Sequence, residues 1–176
     1  MPSQISVETL SDTASAARDP LTGFGTRRTL MADLALALAP DSPSAALVVF
    51  DLGGLDDYAE LYGRLEGSNL LVRVARRLED ALGPGTSFYR PRDDEFAALM
   101  QAAVPAVDSL LASAVVELTD RFAQFDLTLA FGRTTLPDEA SDPLEALLLA
   151  DERLLVSARG RRARERRSSP REQGRE

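Results

Sequence analysis

The residues best suited to chemistry in this chain are four carboxylates. Asp93, Asp94 and Glu95 are consecutive, and Asp51 lies near the end of the apolar run 45–52. The sequence has no histidine and no cysteine, so carboxylates and hydroxyls remain as catalytic groups and hard cations such as Mg²⁺ remain as metals. The acids therefore indicate either a solvated turn beside an exposed strand end, or a site for a hard cation.

The predicted secondary structure places these acids at strand ends, beside one another at one end of a sheet. Runs 86–90 and 96–100 predict the arms of a β-hairpin, and 45–52 predicts a strand buried on both faces. Hydrophobic periodicity predicts one helix after Arg28, a short helix that ends near Tyr62, and two longer helices over 67–82 and 105–122. It also predicts a strand over 125–133 and a last helix that begins at 142. This order favours an α+β domain, one central sheet flanked by helices, with the Asp51 strand end beside the hairpin tip.

The length of 176 residues predicts a single domain with loose ends. We expect residues 1–17 to form a flexible leader, 18–158 the folded domain and 159–176 a basic, disordered tail. Asp142 is the predicted N-cap of the last helix, with Glu145 closing a capping box.

The charge is divided unevenly along the chain. The total is −8, while residues 159–176 hold eight arginines and three glutamates, which gives +5 there and leaves −13 for 1–158. The acidic body argues against nucleic-acid binding except through the basic tail, which could also contact anionic lipid or an acidic protein. No apolar run approaches the length of a membrane span and the first residues do not resemble a signal peptide, so we expect a cytoplasmic protein.

Four segments together resemble the GGDEF domains of diguanylate cyclases. Asp19 to Arg28 resembles the D-x-L-T-G-L-x-N-R-R entry, and Phe50-Asp51-Leu52 with the following glycines resembles the segment of the first metal ligand. Arg90 to Phe96 stands at the R-x-G-G-D-E-F signature, and Ala150 to Arg159 resembles the final helix. The resemblance extends over about 18–164 in the family order.

The resemblance implies a palm-like fold with a mainly antiparallel sheet. In the family, two GTP-loaded domains meet head to head and make cyclic di-GMP, with Mg²⁺ held by carboxylates. It implies that Asp51 and Asp94 occupy the metal-ligand positions, that Glu95 is the neighbouring acid, and that Arg159 replaces a phosphate-binding lysine.

Several positions depart from the family pattern. The two signature glycines are Arg92 and Asp93, and the asparagine and aspartate that read guanine fall on Ala59 and Ser68. Bulk and negative charge beside the triphosphate hinder GTP, and loss of matched polar groups weakens selection of guanine. The R-x-x-D motif that binds the product is absent, since it would begin at Gly83.

These departures predict a catalytically inactive GGDEF-like domain with a regulatory or protein-interaction role in bacterial signalling, acting on a protein partner or as a homodimer. One alternative is a sensor that binds a nucleotide or a divalent cation at the remnant site, with Mg²⁺ as the cation. The other is a residual diguanylate cyclase or nucleotidyl transferase that makes a cyclic dinucleotide.

Overall fold

The computed structural model describes residues 17–101, 104–122 and 127–168. The flexible leader predicted for 1–17 therefore lies outside the described residues, apart from Ala17. The elements in chain order are β1 (Gly25–Thr26), α1 (Arg27–Ala37), β2 (Ala45–Gly53), α2 (Leu55–Tyr62), α3 (Arg64–Leu82), β3 (Thr86–Arg90), β4 (Glu95–Met100), α4 (Val104–Phe122), β5 (Thr128–Leu136) and α5 (Pro143–Ser168).

The strands form a mixed sheet in the order β1-β3-β4-β2-β5. β1 is parallel to β3, and the other pairings are antiparallel, which confirms the prediction of a mainly antiparallel sheet in an α+β fold. The strand β2 lies between β4 and β5 in the interior of the sheet, and its alternate residues pack into two cores, one on each face. This position explains why residues 45–50 form a continuous apolar run.

Helices cover both faces of the sheet. Alternate residues of β2 pack to opposite sides, because successive side chains of a strand point to opposite faces. Ala46, Val48 and Phe50 join a core built with α3 and α4. Leu47 and Val49 join a second core built with α1 and α5. Even-numbered residues of β2 therefore face α3 and α4, and odd-numbered residues face α1 and α5.

Most predicted boundaries agree with the structure to within a few residues. The helix α3 begins at Arg64, earlier than the predicted 67, after Gly63 with φ of 96°. It ends at Gly83 with φ of 72°, a backbone conformation that glycine adopts without a Cβ clash. The strand β5 runs from Thr128 to Leu136, whereas 125–133 was predicted, and 123–126 lie outside the described residues.

The last helix begins as predicted and continues further than predicted. Asp142 Oδ1 accepts hydrogen bonds from the N–H groups of Leu144 (2.8 Å) and Glu145 (3.0 Å), which confirms the N-cap. The Glu145 carboxylate accepts the N–H of Ser141 at 2.7 Å, one residue before the position that a capping box uses. The helix extends to Ser168, so residues 159–168, expected to be disordered, are helical.

Among the helices of the described residues, none combines the length and the apolar character needed to cross a membrane.

Candidate functional site

The structure places Asp51 beside Glu95. The two residues are directly opposite each other in the antiparallel pair β2–β4. Residues opposite in such a pair carry their side chains on the same face with Cβ atoms about 5 Å apart. The odd-numbered residues of β2 face α1 and α5, so the two carboxylates lie on that side. Asp51 is half-buried, whereas Glu95 is buried.

Asp94 takes a different position. It is exposed in the bend of the hairpin, before β4 begins. Its carbonyl oxygen accepts the Leu52 N–H at 3.2 Å, which fixes the tip against the end of β2. The predicted site residues are therefore neighbours in the chain and the sheet, but their exposures differ.

In the described parts of the chain, no group of three or more His, Cys, Asp or Glu is arranged so that it could hold a metal ion. Binding of Mg²⁺ by Asp51 and Asp94, with Glu95 as neighbour, stays a prediction.

An arginine neutralises the buried acid of the pair. Arg92 Nη1 donates to Glu95 Oε2 at 2.7 Å, and the side chain of Glu95 is 10% exposed against 56% for Arg92. Burial raises the pKa of Glu95, and the charge and hydrogen bond of Arg92 oppose that rise. The charge of Asp151 on α5 adds to the rise, and the charge of Arg27 on α1 opposes it. Glu95 thus sits in a charged cluster contributed by three elements and the hairpin tip.

A second arginine joins the tip to the loop before β1. Arg90 Nη1 bonds Asp19 Oδ1 at 3.1 Å, and both side chains are largely buried. Arg90 also donates to the Asp93 carbonyl from Nε at 3.2 Å and from Nη2 at 2.5 Å. Burial raises the pKa of Asp19, but hydrogen bonds from Thr22 and the Arg90 guanidinium outweigh it and leave the pKa below its usual value. This network holds the hairpin tip in place.

The positions that the resemblance assigns to guanine lie on neighbouring helices. Ala59 is on α2 and Ser68 is on α3, both half-buried. A Cβ built on the adjacent Gly67 would lie 2.9 Å from the Ala59 Cβ, so the two helices approach closely here. These positions offer a methyl group and a hydroxyl group, neither of which can accept two hydrogen bonds from a base edge as a carboxylate does.

The remaining positions have local roles or lie apart from the tip. Gly83 caps α3, and the Thr86 hydroxyl donates to the Leu82 carbonyl at 3.3 Å at the start of β3. Asp56, at the position where the resembled family pattern has a lysine, is exposed in the first turn of α2, where the positive end of the helix dipole stabilises a negative charge. Arg159 is exposed on α5, and its contact with a phosphate stays a prediction.

Sequence reasoning missed three contributors to the site. The role of Arg92 as partner of Glu95 was missed, although the spacing i, i+3 within one turn is a local signal that could have indicated it. Arg27 and Asp151 were part of matched motifs, but no sequence signal links either of them to Glu95. Their proximity depends on how α1 and α5 pack on the same face of the sheet.

Comparison with known proteins adds the following findings. The family described as "Diguanylate cyclase, GGDEF domain" matches residues 16–164. An uncharacterized signaling protein of Caulobacter vibrioides is 30% identical over 154 residues, which cover 82% of this chain and 19% of that protein. The chain therefore spans about a fifth of the length of this relative.

Two solved structures share the fold. The GGDEF domain of DgcB from Caulobacter crescentus, in complex with c-di-GMP, has a TM-score of 0.71 at 21% identity, covering 83% of this chain and 92% of that chain. The diguanylate cyclase SiaD from Pseudomonas aeruginosa, in complex with its activator SiaC, has a TM-score of 0.68 at 22% identity, covering 87% of this chain and 63% of that chain.

Proposed function

The chain belongs to the GGDEF family of diguanylate cyclase domains, and from this premise we propose that it is a catalytically inactive member with a regulatory, protein-binding role in bacterial signalling. The binding partner in this proposal is another protein or a second copy of the chain, in the cytoplasm.

The observation that carries the proposal is the closed hairpin tip. Arg92 and Asp93 stand where the family has glycines, and both are exposed at the tip. The Arg92 side chain is bonded to Glu95, and Arg90 is bonded to the Asp93 carbonyl. A triphosphate at this place would have to displace side chains that already bond to the tip, and it would meet the negative charge of Asp93. Both effects oppose productive binding of GTP.

The base-reading side supports the same conclusion. A pocket selects guanine through buried polar groups that match the base, and an unmatched pocket loses most of that selection. Ala59 and Ser68 supply one hydroxyl between them. The tip and the base side are therefore changed together, which one tolerated substitution would not produce.

A protein-binding role has support from the comparisons. SiaD is a diguanylate cyclase seen in complex with its activator protein SiaC, so a protein with this fold can be regulated through a protein complex. A pull-down from the native cell, with the captured chains identified by mass spectrometry, addresses the partner directly.

The test of inactivity is synthesis of cyclic di-GMP from GTP and Mg²⁺, followed by mass spectrometry of the product. We expect no product from the natural chain. A variant that combines Arg92→Gly, Asp93→Gly, Ala59→Asn and Ser68→Asp restores the four family residue types and serves as the matched comparison. Turnover by the natural chain at the rate of an active cyclase assayed in parallel would overturn the proposal.

The alternative function, a nucleotide or cation sensor, is favoured by one observation. Asp51 and Glu95 are paired across β2 and β4, next to the hairpin tip, so part of the acidic geometry is present. Calorimetric titration with GTP, ATP and cyclic di-GMP distinguishes this alternative. Saturable binding that disappears in an Asp51→Ala and Asp94→Ala double variant would favour the sensor over the protein-binding module.

A further inference from the structure

Within the acid pair Asp51–Glu95, the buried Glu95 is bonded to an arginine. Glu95 is 7% exposed, so little water is available to solvate its carboxylate. A buried carboxylate of this kind is stabilised by a cation close to its oxygens. In the structure that cation is the Arg92 guanidinium, at 2.7 Å from Glu95 Oε2.

We propose that the Arg92 side chain substitutes for a divalent cation at this acid pair and thereby lowers the affinity of the site for metal ions. The Arg92 position is the first residue of the degenerate signature, where a glycine would leave the space beside Glu95 open. A side chain at this position reaches back over one turn of the hairpin to Glu95. Glu95 is thus neutralised by a tethered charge that needs no free ion.

The Arg92–Glu95 pair differs from an ordinary surface ion pair. Arg77 and Asp80 have the same i, i+3 spacing, but their atoms are 3.9 Å apart and the side chains are 46% and 73% exposed. Glu95 is 10% exposed, so water screens its charge far less. The comparison separates a general effect of arginine spacing from an effect that depends on the buried acid.

A metal ion at the acid pair would compete with Arg92 for the oxygens of Glu95. It would also be repelled by the guanidinium charge a few ångströms away. Even with the full screening of a water-like dielectric, Coulomb repulsion between a divalent cation and one positive charge at this range weakens binding by roughly tenfold. This inference does not depend on the absence of cyclase activity, because it concerns cation binding without any nucleotide.

The experiment measures Mn²⁺ binding to the full chain by electron paramagnetic resonance of the free ion, with thermal unfolding as a second readout. The test variant is Arg92→Gln, which keeps a polar side chain and removes its charge. The matched control is Arg77→Gln, which removes the same charge from the exposed i, i+3 pair. We expect Arg92→Gln to bind Mn²⁺ roughly tenfold more tightly than the natural chain, and Arg77→Gln to bind as the natural chain does.

Two added substitutions locate the site. In the Arg92→Gln background, Asp51→Asn and Glu95→Gln should each abolish the added Mn²⁺ binding. Each should also abolish the rise in unfolding temperature that Mn²⁺ produces in the Arg92→Gln variant. The proposal is overturned if Arg92→Gln gains no affinity while circular dichroism shows it folded. It is also overturned if Arg77→Gln gains as much, or if the gained binding survives both acid substitutions. Cyclic di-GMP synthesis is measured separately, so failure here is distinguishable from failure of the proposed function.

Discussion

Two arginine–glutamate ion pairs in this molecule differ in the parts of the fold that they connect. At the hairpin tip, Arg92 and Glu95 are three residues apart and make one contact, with Arg92 more than half exposed. Behind the sheet, Arg153 of α5 and Glu139 are distant in sequence and make two contacts, of 2.6 and 2.8 Å. The first pair can form within one turn, whereas the second exists only when α5 lies against β5.

The second pair also binds the backbone. Arg153 Nη1 donates to the Arg133 carbonyl at 2.6 Å, and Glu139 Oε2 accepts the Thr135 N–H at 2.7 Å. Among the described strands, β5 pairs only with β2, so its other side needs different hydrogen-bond partners. The Glu139–Arg153 pair supplies two of them. The Glu139–Arg153 pair joins α5 to β5, whereas the Arg92–Glu95 pair joins two residues of one hairpin. Removal of the two pairs should therefore have different consequences for stability.

The largest expected effect tests how closely α5 must approach β5. A Cβ added at Gly132 would lie 2.0 Å from the Ala150 carbonyl oxygen and 2.4 Å from the Leu154 nitrogen. Both are backbone atoms of a packed helix that cannot rotate away, so Gly132→Ala should cost about 3 kcal/mol or more of unfolding free energy. Urea denaturation measures the loss.

Gly53→Ala is the control for this substitution. Its Cβ would meet the Thr128 hydroxyl at 2.6 Å, which belongs to a side chain and can move. We expect a clearly smaller loss. Equal losses for the two variants would mean that the approach of α5 to Gly132 is not the cause.

The intermediate effect compares the two pairs directly. Arg153→Ala removes a bidentate ion pair and leaves the Arg133 carbonyl without that donor, so we expect a cost of about 1–2 kcal/mol. Arg92→Ala removes a single hydrogen bond to the buried Glu95, and that carboxylate can bind a proton in its place, so we expect a smaller cost, below about 1 kcal/mol. Chemical denaturation of both variants, with a double-mutant cycle through Glu139→Ala, measures the difference. A cost for Arg92→Ala as large as that for Arg153→Ala would remove the distinction between the pairs.

The smallest effect concerns pH and has opposite signs at the two glutamates. Hydrogen bonding from Arg153 lowers the pKa of Glu139 to about 2 from its usual 4.5. Its stabilisation is therefore present above pH 4.5 and is lost as the pH falls towards 2. Since Glu139 is about one-third exposed, we expect less than about 1 kcal/mol. Burial raises the pKa of Glu95, so its contribution to stability falls as the pH rises through the folded-state pKa.

Thermal unfolding between pH 2 and 7 checks these signs. The difference between the natural chain and Glu139→Gln should shrink as the pH falls. For Glu95 the comparison runs the other way. As the pH rises above the usual pKa of glutamate, the natural chain should lose stability, and the Glu95→Gln variant should not show this loss. Profiles with the same sign for both variants would contradict the assignment.

Local signals explain how much of the fold was predictable. The hairpin arms, the helix over most of 64–82 and the N-cap at Asp142 follow from periodicity and from residue types within a few positions. The start of β5 and the length of α5 were less predictable. Ends of elements depend on packing as well as on local propensity, and the arginine-rich composition of 159–168 resembles that of a disordered segment.

The candidate site divides in the same way. The sequence by itself determined which residue types stand at the positions that the resemblance assigns to the signature and to guanine, so the predicted departures at these positions needed no coordinates. Only the tertiary structure decided that Asp51 faces Glu95 while Asp94 is exposed, because register and exposure depend on strand pairing. The tertiary structure also brought Arg27 and Asp151 to Glu95 and Arg153 to Glu139. These contacts join residues far apart in the chain, and charges act over distance in space, which sequence separation does not reveal.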